Sequence, residues 1–196
     1  MIKTFFTPKI ERGNKKTIPN LVSGLPTGQA GFTLIELLVV IAIIGVISSA
    51  VFFAIDKARM RGRDSTRLMN MSQMQMALEN YILRNGTYPS SDNKGCGGWD
   101  TSGIGTGETS GTFTTALVSG GYLPDHLQDP NNNTNCGNYR YYRYSPQLGC
   151  ESGYFYVLGV VNMETSGNPY PGSPGWSCPG NRNWQGEMEW VTGKFE

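Results

Sequence analysis

The sequence predicts an α+β chain in which one long N-terminal helix, its first half transmembrane, packs against a small C-terminal antiparallel sheet. Three observations predict it: an apolar run over residues 32–55, a proline-free stretch of helix formers over 56–84, and two aromatic segments at 138–144 and 154–162. The 196 residues include 26 glycines and 11 prolines, so the part outside the helix is a single small, turn-rich domain. A formal net charge of +1 gives no bulk attraction for nucleic acid or for an acidic surface.

The opening segment is basic, with Lys3, Lys9, Arg12, Lys15 and Lys16 against Glu11. A secretory signal would carry a shorter apolar region and a small-residue cleavage site after it, and neither is present. The run that follows is long enough to span a hydrocarbon core of about 30 Å at about 1.5 Å per residue. It carries one ionisable residue, Glu36. A carboxylate inside a membrane helix calls for a partner, or else it snorkels to the near interface; the residues leave both readings open.

Good helix formers extend this helix outward to about 50 residues, about 75 Å. Leu68, Met71, Met74, Leu78, Tyr81 and Ile82 recur every three or four positions and predict the stripe on which the domain packs. Asn85 and Gly86 supply a left-handed cap, and Pro89 blocks continuation. A Gly/Ser/Thr-rich loop follows, then a short helix in TFTTALVSGG ending at Gly120, then the turn formers PDHLQDPNNNTN. The two aromatic strands come next, and a final strand is expected over 187–192.

Cys96, Cys136, Cys150 and Cys178 form an even set without a C-x-x-C pair, and His126 is the sole histidine, so two disulfides and an extracytoplasmic domain are expected rather than zinc. If the aromatic strands form a hairpin, Cys136 and Cys150 lie at opposite ends of it. Cys178, placed just before the last strand, then falls beside Cys136, which favours Cys136 with Cys178 and Cys96 with Cys150.

GFTLIELLVVIAIIGVISSA, beginning at Gly31, resembles the N-terminal signature of type IV prepilins and type II secretion pseudopilins. RGRDSTRLMNMSQMQMALENYILRNGTYP, ALVSGGYLPDHLQDP and YRYYRYSP further resemble the major pseudopilin and related pilin-like proteins. The resemblance implies a pilin-like fold with a cleaved leader at 1–31, a transmembrane and polymerisation helix at 32–55, and an extracytoplasmic domain at 56–196. It implies cleavage by a prepilin peptidase between Gly31 and Phe32, N-methylation of Phe32, and pairing of Glu36 with the amine of Phe32 on a neighbouring subunit. The implied partners are identical or homologous pilin subunits, the peptidase, a pilus or secretion assembly platform and the membrane. The chain would reside in the inner (cytoplasmic) membrane before assembly and in a pilus or pseudopilus filament afterwards. Phe53 stands where many members have a helix-kinking proline, which predicts a straighter helix.

Physical chemistry gives the same destination. Polar groups in lipid associate because each supplies the other's missing partner, and Ala42, Gly45, Ser48, Ser49 and Ala50 allow close helix approach. An enzyme would need a nucleophile, base and orienter that one histidine and scattered carboxylates do not supply. A minor or ligand-binding pilin would instead use Tyr139, Arg140, Tyr141, Tyr142, Arg143 and Tyr144 to stack on single-stranded DNA or a glycan, although their alternation equally suits a half-buried strand. No cofactor is expected; calcium, which stabilises a loop in some members of the family the chain resembles, is the one candidate the residues raise. Asp125, Asp129, Asn131, Asn132 and Asn133 offer oxygens for it, and the same residues also serve tight turns.

Overall fold

The computed structural model describes residues 31–92, 96–101, 112–131, 137–146, 150, 153–178 and 181–196. The leader up to residue 30, Cys136 and the side chain of Cys96 lie outside the described residues. The chain divides into two units, Met1–Gly45 and Val46–Glu196. Helix α1, Leu34–Asn85, contributes to each and contains no proline, so nothing interrupts its hydrogen-bond ladder at Phe53. It stops where expected: Gly86 takes a φ of 75° and donates its amide to the Ile82 carbonyl at 2.8 Å.

In the second unit, α1 presents the anticipated stripe. Met71, Met74 and Leu78 are fully buried, while Leu68, Tyr81 and Ile82 flank them half-buried. Helix α2, Thr112–Ser119, adds Phe113 and Leu117 to the same core, and Gly120 ends it by donating to the Ala116 carbonyl. The sheet lies beneath. Strands β1 (Tyr139–Tyr144), β2 (Phe155–Val160) and β5 (Trp190–Phe195) pair antiparallel in the order β1-β2-β5, with Tyr141 opposite Leu158 and Leu158 opposite Thr192. Asp100 bridges Tyr141 through two backbone hydrogen bonds of 2.9 Å, which occupies part of the outer edge of β1.

Both faces of this sheet are covered, which the sequence did not suggest. Tyr139, Tyr141, Tyr156, Leu158 and Val160 face α1, while Tyr144, Phe155 and Val157 enter a second core with Cys178, Trp184 and Met188. The cover is a short hairpin, β3 (Ser177–Cys178) with β4 (Arg182–Asn183), followed by a 3-10 turn at Trp184–Gly186 capped by Asn183. Gly159 is required beneath it, because a Cβ there would meet Met188 Sδ and the Trp190 carbonyl oxygen.

That hairpin corrects two expectations. The last strand begins at Trp190 rather than Glu187, because Glu187 caps the 3-10 turn. The disulfide joins Cys150 to Cys178, with Cα atoms 5.4 Å apart, so neither Cys136–Cys178 nor Cys96–Cys150 forms. The reason is the path of the chain. Residues between Cys178 and β5 double back through β4 and the turn, so Cys178 packs beside Tyr144 and Phe155, at the same end of the sheet as Cys150.

Candidate functional site

Helix α1 begins where its sequence satisfies its own first turn. Thr33 stands at the cap and Glu36 at the third helical position. The amide and hydroxyl of Thr33 donate to Glu36 Oε2 at 2.9 and 2.8 Å, and the Glu36 amide donates back to Thr33 Oγ1 at 3.3 Å. This reciprocal capping satisfies donors that every helix start leaves without an intrahelical partner, and it places a negative charge at the positive end of the helix dipole. Oε1 of Glu36 has no hydrogen bond among the described residues, so the carboxylate retains an acceptor for a cation outside the chain. The signal for this cap, a threonine three residues before a glutamate at the head of an apolar run, is in the sequence; Thr33 escaped the reading that singled out Glu36.

Gly31 and Phe32 precede the helix in exposed, non-helical backbone. From Leu34 to Ile47 every residue of α1 is exposed, and all but Glu36 and Gly45 are Ala, Val, Leu or Ile. This is the helix among the described residues that is long and apolar enough to cross a membrane, and none of its apolar window is buried within the chain. Such a surface fits anchoring in a membrane.

A second polar constellation lies in the larger unit. Arg67, almost fully buried, donates from Nε and Nη2 to Asp129 at 2.7 and 3.0 Å and from Nη1 to Asp64 at 2.7 Å, and its Nη2 lies 2.8 Å from Glu164. Asp64 also accepts from the amides of Glu164 and Thr165 and from the Thr165 hydroxyl. Burial alone would raise the pKa of Asp129, but hydrogen bonds from Arg67 and Asn138 outweigh it and hold the carboxyl below its ordinary range. Hydrogen bonds from Arg63, opposed by burial and helped by Arg67, hold Glu164 at about 2.

Of the residues expected to offer oxygens to calcium, Asp125, Asp129 and Asn131 are described, while Asn132 and Asn133 lie outside the described residues. Both oxygens of Asp129 are engaged by Arg67, with Asn138 and the Asn131 amide as further donors, while Asp125 sits exposed and accepts from the His126 amide. No group of three metal-ligating side chains occurs among the described residues.

The aromatic strand is likewise committed internally. Tyr139, Tyr141 and Tyr144 are buried, Arg140 donates to the carbonyls of Gly137 and Tyr139, and Arg143 pairs with Glu196. Little of that strand is left to stack on a nucleic acid base or a sugar.

Residues 26–52 match the family described as the prokaryotic N-terminal methylation motif. No curated protein and no solved structure matches the chain.

Proposed function

We propose that this chain, a type IV pilin-like protein by the methylation motif at residues 26–52, is a structural subunit of a type IV pilus or type II secretion pseudopilus. The observation that carries the reading is Glu36. It is the fifth residue after Gly31 and the only charge among residues 34–55 of α1, a largely apolar and unburied stretch, and it keeps one carboxylate oxygen without a hydrogen bond among the described residues. A prepilin peptidase removes residues 1–31 and methylates the new amine of Phe32. That amine, on an incoming subunit, meets Glu36 of its neighbour. In hydrocarbon an unpaired ammonium and an unpaired carboxylate are each costly, so pairing them offsets both penalties and fixes the axial register between subunits. The extracytoplasmic domain, residues 56–196, then decorates a core of bundled helices.

Glu36→Ala tests the proposal in cells where the chain is the sole subunit. Filament yield, read by shearing and electron microscopy, falls at least about tenfold, as expected for loss of a desolvated charge partner, while the membrane level of processed protein is kept. Filaments from the alanine variant at wild-type yield would remove the pairing role.

A further inference from the structure

The two edges of the three-stranded sheet are finished differently. On β1 the backbone groups that point away from β2 are used: Tyr141 exchanges two hydrogen bonds with Asp100, and the Arg143 amide donates to Ser91 Oγ at 2.8 Å. On β5 the outward residues are Val191, Gly193 and Phe195. Glu196 donates to the Tyr154 carbonyl, so the residues that bond to β2 are the alternate ones, Trp190, Thr192 and Lys194. Val191 is covered, since its amide donates to Ser173 Oγ at 3.0 Å and its carbonyl accepts from the same hydroxyl at 3.4 Å. Gly193 and Phe195 have no hydrogen-bond partner on this edge among the described residues. The covering segment leaves the edge after Ser173. Pro174 has no N–H to offer, and Trp176 packs on the face away from α1, where a Cβ on Gly193 would meet its ring.

A bare edge is normally guarded by a charge. The lysine of this strand does not guard it, because Lys194 turns toward α1 and pairs with Glu79. Along the α1 side of the edge runs an open groove of about 510 Å³, bounded by Ser72, Met76 and Asn80 of α1 and by Thr192 of β5. On the opposite side Trp176 and Phe195, both half-buried, lie with ring centroids 5.4 Å apart.

We propose that this edge receives an extended, uncharged segment of a separate protein as a fourth strand of the sheet. The backbone selects the conformation: outward N–H and C=O groups on residues two apart match the main chain of a strand, and a helix has none to spare for them. The flanks select the side chains. Partner residues opposite Gly193 and Phe195 share their face of the sheet and meet the Trp176 and Phe195 rings, so they are apolar. Residues between them enter the groove, where Glu79 and Lys194 already neutralise each other, so they are uncharged and polar. Alternating β-branched and hydroxyl residues fit both requirements. This site lies on the sheet edge and does not depend on polymerisation through the membrane helix.

The probe is an end-capped five-residue peptide of alternating valine and threonine, titrated onto the full-length chain in detergent micelles. At saturation, amide hydrogen exchange at Gly193 and Phe195 slows at least about fivefold, while that at Tyr141, already paired, is unchanged. A peptide with a central proline, which loses one donor, and a peptide with aspartate at the threonine positions each bind at least about fivefold more weakly. Ser72→Trp fills the groove from an exposed position and weakens binding of the valine and threonine peptide by a similar factor at an unchanged melting temperature, whereas Ser72→Ala does not. No saturable binding below about 1 mM, binding without slowed exchange at Gly193 and Phe195, or equal binding of the proline peptide overturns the inference. Protection of those two amides that rises with protein concentration in the absence of peptide assigns the edge to a second copy and overturns it as well.

Discussion

Arg67 and Asp129 stand 62 positions apart and form a two-pronged ion pair, Nε to Oδ2 at 2.7 Å and Nη2 to Oδ1 at 3.0 Å, with both side chains 3% exposed. The pair fastens the turn that follows α2 onto α1. Through Asn138, which donates to Asp129 and to the Asn162 carbonyl, it also anchors the start of β1 and the segment after β2. A planar guanidinium can meet Asp64, Asp129 and Glu164 together because its donors fork; a lysine ammonium cannot.

Replacing Arg67 with methionine keeps the volume but leaves Asp64 and Asp129 buried without their cation. Destabilisation of about 3–5 kcal/mol is expected, the usual cost of breaking one side of a buried pair. Arg67→Lys recovers part of it. Thermal melting of the full-length chain in detergent is the measurement, and a methionine variant as stable as wild type would show that the cluster contributes no net stability.

The same cluster sets an acid limit. Glu164 is held at about 2, from an ordinary value of 4.5, by Arg63 first and then Arg67. Asp129 is also lowered, by Arg67 and Asn138 against the opposing effect of burial. Carboxyls depressed in the folded state stabilise it fully above their unfolded values and lose that contribution as pH falls through the folded ones. Melting temperature is therefore flat with respect to these groups from pH 7 to about 5 and falls from about pH 4.5 toward 2. Glu164→Gln shallows the fall. An identical acid profile in that variant would exclude Glu164 from it.

Non-reducing peptide mapping recovers the Cys150 peptide joined to the Cys178 peptide. Cys178→Ser costs about 2–4 kcal/mol, since the bridge closes a 28-residue separation and ties down the hairpin that covers the second core. A Cys136–Cys178 peptide would contradict the path of the chain through β3 and β4.

Calcium gives a fourth check. Because Asp129 is committed to Arg67, a chelator leaves the melting curve of the full-length chain unchanged. A shift of several degrees on chelation, reversed by added calcium, would require another set of oxygens.

Local signals in the sequence carried much of this fold, and long-range ones carried little. The three- and four-residue recurrence from Leu68 to Ile82 and the Asn85–Gly86 cap depend on neighbours along one helix, and both stand. Strands β1 and β2 were legible from aromatic composition, within two residues at their ends. The pairing of Cys150 was not, because it depends on where a loop of Pro, Gly and Trp residues turns back, and periodicity is silent there. Arg67 was hidden for a related reason: one arginine inside a basic helical stretch looks solvated until folding brings Asp129 and Glu164 to it. Thr33 differs from both. Its three-residue spacing from Glu36 is the local pattern of a capping box and is readable from the sequence alone.

That cap separates two roles of Glu36 which the alanine variant removes together. In Glu36→Gln the side-chain oxygen still accepts from the Thr33 amide and hydroxyl, since glutamine serves a capping box as well as glutamate does. The charge is lost, and with it the attraction for an ammonium on a neighbouring chain. The glutamine variant should therefore match wild type in membrane level and processing, with a filament yield between those of the alanine variant and wild type. Thr33→Val does the reverse. It removes the hydroxyl that donates to Oε2 and accepts from the Glu36 amide, at a cost of about 0.5–2 kcal/mol to the helix start, and leaves the carboxylate charged. Filaments should then form, with faster amide hydrogen exchange at Ile35 and Glu36. If Glu36→Gln assembles as well as wild type while Thr33→Val does not, the cap rather than the charge governs assembly, and the pairing with Phe32 is wrong.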